Sequence, residues 1–225
     1  FLGPKPSYPK FTKELPAVPS EPVGLEKYIS DHETLHKLKP DNEARIIWLN
    51  DSLKEKTEYA VVYIHGFSAC QEEGDPVHTD FAKKFGCNLF LSRLEDHGID
   101  TTEPLLTVTA DRLWNSAKEA YTIGKQIGKK IILLSTSTGG TLALKLAGEY
   151  PDIAGLILLS PNIAIKDPNA WMLNNQWGLQ IAHLMVGKYV HSKDTTALYA
   201  KYWNAKYRME STVELEELIE TTMKE

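Results

Sequence analysis

Strand-like apolar runs alternate with helix-spaced segments four times between residues 58 and 160, and that alternation leaves the chain very few architectures. The runs are EYAVVYI (58–64), CNLFLSRL (87–94), KKIILLS (129–135) and IAGLILLS (153–160). Nearly continuous apolar character suits strands buried on both faces. Between them, DPVHTDFAKKFG places Val77, Phe81, Ala82 and Phe85 at helical intervals, with Gly86 as a stop. TADRLWNSAKEAYTIGKQIG repeats Leu113, Ala117, Ala120 and Ile127 in the same way, and GGTLALKLAGEYP reads as a helix ended by Pro151. Such units join parallel strands through right-handed crossovers. The sequence therefore predicts an α/β fold, a mostly parallel sheet with helices on both faces. Ligands of open sheets bind beyond the carboxyl ends of the strands. That selects the loops after Ile64, Leu91, Leu134 and Leu159.

Outside this block the pattern changes. A short strand, Arg45–Leu49, precedes it. Six of the twelve prolines fall within residues 4–22, so residues 1–24 are expected to form an extended, poorly helical arm. Two roles suit such an arm. It could be a membrane tether continuing upstream of Phe1, which favours the cell envelope over the cytoplasm, or a strap along the domain surface. Residues 25–162 would form the core. From 163 to 225 apolar residues recur only at helical intervals, and no strand is expected after residue 160. The net charge of −5, from 25 basic and 30 acidic residues with no basic block, argues against a nucleic-acid partner. Cys70 and Cys87 lack the spacing of metal ligands and are too few for a disulfide framework; buried free thiols are expected. No metal or organic cofactor is implied. No apolar run approaches the ~20 residues that span a bilayer.

The stretch LLSTSTGG (133–140) carries the chemistry. A side chain at a sharp strand-to-helix turn is lifted out of the sheet, and the residues two before and two after it must be small. Around Ser137 these are Ser135 and Gly139, with Gly140 giving further clearance. The following helix aims its free N–H groups and dipole at the same point. A serine hydroxyl there can attack a carbonyl while the Thr138 N–H holds the oxyanion. A Ser/Thr-rich helix cap would explain the same letters. A second motif adds weight: IHGF (64–67) ends an earlier strand, where Gly66 lets the backbone turn and offer the Phe67 N–H as a second donor.

With these motifs in this order, the sequence resembles the α/β-hydrolase superfamily, above all bacterial carboxylesterases and monoacylglycerol-lipase-like serine hydrolases. VVYIHGFSAC, LSRLEDHGID, LWNSAKEAY and ILLSTSTGGTLALKLAGEYPDIAGLILLSP carry the likeness, over residues 45–162. The resemblance implies Ser137 as nucleophile and the amides of Phe67 and Thr138 as oxyanion hole. It also implies that residues 163–225 form a helical cap. Trp171, Trp177 and Met185, with Leu173 and tyrosines 199, 202 and 207, would then line a partly apolar substrate pocket. Ser135 departs from the usual glycine but keeps the small size. In EDHG (95–98), Asp96 replaces a glycine of the family's G-H-G loop, and His97 is read as structural.

A serine needs a histidine base and an orienting carboxylate, which in this superfamily follow it in the order acid, then His. Asp152, Asp167, His183 and His191 follow Ser137. Of these only Asp167 stands near a position some relatives use for the acid. The run IAGLILLS also calls for another strand along its open edge. Further sequence completing the sheet and supplying acid and base is therefore expected. The expected function is that of a serine hydrolase cleaving small-molecule carboxylic esters through an acyl-enzyme on Ser137. Amides, thioesters and acyl transfer to an alcohol stay compatible with the motif. The alternative is a non-catalytic α/β-hydrolase-like binding module.

Overall fold

A computed structural model describes residues 3–166 and 169–224. Residues 3–19 run without regular structure, and Pro22 opens helix α1 (Pro22–Glu33), where its missing N–H deprives no acceptor. There follow β1 (Arg45–Ile47), β2 (Thr57–Ile64), α2 (Val77–Phe85), β3 (Asn88–Leu91), α3 (Ala110–Ile127), β4 (Gly128–Thr136), α4 (Thr138–Glu149) and β5 (Ile153–Leu159). The five strands form one sheet in the order β1-β3-β2-β4-β5. β2 to β5 run parallel and β1 is antiparallel to β3, so the fold is the expected α/β type with a mostly parallel sheet.

Alternation along the strands assigns the two faces. Ala60, Val62 and Ile64 enter a large core with Leu113 and Trp114 of α3, Leu142 and Leu146 of α4, and Leu25 of α1. Val61 and Tyr63 point the other way, toward Leu89, Leu91 and Ala82 of α2. The chain leaves β2 for β3 on one side, then crosses back to reach β4 on the other. Where winding reverses in this way, a crevice opens at the carboxyl ends of the two neighbouring strands. Here those strands are β2 and β4, paired in register up to Ile64 opposite Ser135. β5 is an edge strand among the described residues, and Leu156 to Leu159 are only half-buried.

Three expectations need revision. The buried side of α2 is His78 and Ala82, whereas Val77 and Phe85 are exposed. The cause is polar: His78 Nε2 bonds the Gln71 carbonyl (2.9 Å) and its ring packs on Tyr63 at 4.7 Å. After β5 come α5 (Gly178–Met185), β6 (Tyr189–His191), α6 (Ala197–Tyr202), β7 (Lys206–Arg208) and α7 (Glu210–Lys224). β6 and β7 form an antiparallel pair where no strand was expected; three residues each are too few to display a period of two. Finally, α7 lies in the segment expected to form the cap, yet it packs on α3 and α4 and sends Leu218 into the main core.

The arm, over residues 3–19, is a surface strap. The amides of Lys10 and Phe11 both donate to Asp111 Oδ1 (2.9 and 2.8 Å). Phe11 is buried edge-on to Trp114, whose Nε1 donates to the Thr12 carbonyl at 2.8 Å. Lys118 spends three hydrogen bonds on the strap, to Thr12 O (2.9 Å), Thr12 Oγ1 (3.0 Å) and Glu14 O (2.9 Å). Among the described residues no helix is long and apolar enough to cross a membrane. Cys70 and Cys87 are free and buried.

Candidate active site

Just beyond the last rungs of the β2–β4 ladder, the two chain segments turn toward each other. Ser137 stands between β4 and α4 with φ 50° and ψ −115°. Such a conformation costs a non-glycine residue about 1–3 kcal/mol and persists only where its surroundings hold it. Its N–H donates to the Leu159 carbonyl (3.0 Å), and its own carbonyl accepts from the amides of Gly140 (2.8 Å) and Asn162 (2.9 Å). The side chain is half-buried, and its hydroxyl bonds none of the described residues.

The small residues around it are explained by space. A Cβ on Gly139 would stand 2.0 Å from the Ile64 carbonyl oxygen and 2.8 Å from that of His65. One on Gly140 would lie 2.7 Å from Pro161 Cβ. Ser135 is fully buried with its Oγ unbonded, so its size and not its hydroxyl suits it to the place of a glycine. Gly66 does not adopt a left-handed conformation. Its requirement is room, because a Cβ there would meet Ser137 Cβ at 3.2 Å and both Glu73 carboxylate oxygens at 2.9 Å.

His65 holds the HG turn in shape. Its Nε2 accepts from the Leu94 amide (3.0 Å), so the ring proton sits on Nδ1, which donates to the Gly66 carbonyl (2.8 Å). Complete burial, with a lesser contribution from His97, pushes its pKa well below the ordinary histidine value and keeps it neutral. The Ala69 amide also donates to the Gly66 carbonyl (3.3 Å). With that carbonyl held, planarity aims the Phe67 N–H the opposite way. Neither this N–H nor that of Thr138, at the first turn of α4, has an acceptor among the described residues.

The Phe67 ring is gripped edge-on between His97 (5.5 Å) and Tyr207 (5.6 Å). His97 is buried, bonds the Glu95 carbonyl through Nδ1 (2.8 Å), and is pushed down to about 4 mainly by burial. Asp96, at φ 61°, adopts the left-handed conformation that a glycine would take. Its carboxylate pairs with Arg112 (2.9 Å) and accepts from Thr107 Oγ1 (2.9 Å). The segment after β5 reaches the same loop through the Asn204 amide, which donates to the Ser68 carbonyl at 2.7 Å.

The other candidates are dispersed. Trp171 and Trp177 are 62% and 51% exposed, and Trp177 lies against Gly3 with its amide on the Pro4 carbonyl (2.9 Å). Met185 lines a cavity of about 270 Å³ with Met172, Leu173, Ile181 and Met209; that lining includes neither tryptophan, nor Ser137, nor Phe67. Asp152 precedes β5, at the far end of the sheet from Ser137, where it bonds Tyr121 (2.5 Å). His183 faces Glu210 at 3.7 Å, and His191 is exposed on β6. Asp167 lies outside the described residues. Among the described residues no histidine bonds Ser137, and no three His, Cys, Asp or Glu side chains gather as metal ligands. Sequence reasoning missed the task of His65, although its motif was visible, and expected Tyr207 as a pocket wall and not as a partner of the Phe67 ring.

A doubly wound sheet with a strained serine at the strand–helix turn beside its switch point is the architecture of an α/β hydrolase. The family model described as "Serine aminopeptidase, S33" matches residues 56–216, and the chain belongs to that family of hydrolases. It is 32% identical over 111 residues to a thermostable monoacylglycerol lipase of Bacillus sp. (strain H-257), a match covering 49% of this chain and 44% of that lipase. The chain thus aligns with less than half the length of this curated relative. In fold it is similar to a structure from a study of the metagenome-derived lipolytic enzymes LipS and LipT (TM-score 0.64, 16% identity, 83% of this chain and 70% of that one). It is also similar to the monoacylglycerol lipase of Paleococcus ferrophilus (TM-score 0.55, 14% identity, 81% and 71%).

Proposed function

We propose that this chain carries the nucleophile and oxyanion hole of a serine hydrolase acting on small carboxylic esters. The observation that carries the proposal is the strained Ser137, with its hydroxyl unbonded, beside two amides that lack acceptors. In this scheme Ser137 Oγ attacks the ester carbonyl and its proton passes to a histidine. The amides of Phe67 and Thr138 donate to the oxyanion. The intermediate collapses, the alcohol leaves with the proton, and water then releases the acid from the acyl-enzyme. Histidine and carboxylate come from residues other than those described. Residues 169–209, before α7, serve as the cap, with Tyr207 at the oxyanion loop. Ester is preferred to amide because of the lipase likeness, although the family description names an aminopeptidase.

One observation favours a second reading, a non-catalytic binding module: no described histidine reaches Ser137. Both are tested together. Full-length protein should hydrolyse short p-nitrophenyl esters and react with a fluorophosphonate probe at Ser137, and Ser137→Ala should abolish both. Labelling that survives the substitution refutes the nucleophile, and an inert wild type leaves the binding module.

A further inference from the structure

Glu73 belongs to none of the roles above, yet its carboxylate reaches the heart of the site. Its Oε2 accepts from the buried Gly66 amide at 2.6 Å. No lysine, arginine or histidine among the described residues pairs with it. Burial raises its pKa, against the opposing pull of the Gly66 hydrogen bond. The short 3-10 turn that carries it, Gln71–Gly74, is firmly seated. Gln71 Nε2 donates to the Asp41 carbonyl (2.6 Å), His78 bonds the Gln71 carbonyl (2.9 Å), and a Cβ on Gly74 would stand 2.4 Å from the Tyr63 ring. The carboxylate is therefore presented from a fixed base.

We infer that Glu73 is a positioning residue, which aims the Phe67 amide at the oxyanion by clamping the Gly66 amide. Gly66 is held from both sides: its carbonyl by His65 and Ala69, its N–H by Glu73. Without a Cβ, Gly66 has little steric resistance to rotation, so hydrogen bonds must supply it. Removing the clamp frees the peptide plane before Gly66, and the plane after it, which bears the Phe67 N–H, loses its alignment. This inference rests on the proposed serine hydrolase.

The test is steady-state hydrolysis of a short p-nitrophenyl ester by the full-length protein. Deleting an oxyanion donor costs ~10²–10³ in rate; misaiming one costs less, so Glu73→Ala should lower kcat by roughly 10–10² with KM changed less than about threefold. Glu73→Gln keeps an acceptor for Gly66 and should retain about half of kcat or more. Glu73→Asp, one methylene too short, should resemble Glu73→Ala and serves if the alanine variant fails to fold. Wild-type kcat in Glu73→Ala or Glu73→Asp, or equal impairment of Glu73→Gln and Glu73→Ala, overturns the inference. Full turnover by Ser137→Ala would instead strike at the nucleophile itself, so the two failures are distinguishable.

Discussion

Gly139 and Gly148 lie on the same helix, and substituting alanine should move stability in opposite directions. At Gly139 the added carbon would stand 2.0 Å from the Ile64 carbonyl oxygen and 2.6 Å from its carbon, both backbone atoms of a central strand. Neither can swing aside as a side-chain tip could. The start of α4 must move off β2, and overpacking against such a neighbour costs about 3 kcal/mol. At Gly148 a Cβ meets nothing within 4 Å, so only helix propensity acts, and alanine gains about 1 kcal/mol. For a chain of this size 1 kcal/mol corresponds to about 2–4 °C in Tm. Thermal melts followed by circular dichroism should therefore show Gly139→Ala down by about 6–12 °C and Gly148→Ala up by about 2–4 °C. Shifts of the same sign in the two variants would refute the packing argument.

Two further outcomes follow from buried polar groups. Lys118→Met removes three hydrogen bonds to the strap and should cost about 1–3 kcal/mol. Limited trypsinolysis should then cut at Lys10 or Lys13 several-fold faster, and an unchanged cleavage rate would show the strap is held otherwise. His97 is depressed to about 4, below its unfolded value near 6.5. Between these values the unfolded chain binds a proton that the folded one refuses. The contribution is complete above pH 6.5 and is lost toward pH 4, at up to about 1.4 kcal/mol per pH unit. Urea midpoints should fall less steeply with acid in His97→Gln than in the wild type; parallel slopes would count against the burial argument.

The core strands, their parallel class and the helix spacing were legible because long, buried elements print their period on the sequence, as the run from Ile131 to Leu134 and the stripe Leu113–Ala117–Ala120 illustrate. The turn at Ser137 was legible for a related reason: backbone crowding there admits only small residues. What escaped depends on partners remote in sequence. The burial of His78 is decided by the Gln71 carbonyl and Tyr63, and Phe11 is fixed by Asp111 and Trp114, some hundred positions away. Glu73 looks like any surface glutamate until its turn is folded against Gly66. Trp171 and Trp177 do not line the Met185 cavity for a different reason: helical spacing tells which residues share a face and not which cavity that face meets.

Gly66 and Ser137 each lie two residues past the paired positions Ile64 and Ser135, so the β2–β4 ladder acts as a ruler that measures out their encounter. No loop closes by itself to bring them together. A slip of one rung would turn every side chain of one strand to the opposite face and separate the hydroxyl from its amides. Under the proposed function, turnover at this serine is consequently a reporter of correct strand pairing. Collapsed chains with the right helices but the wrong alignment would be silent, and recovered turnover after refolding would count only molecules in true register.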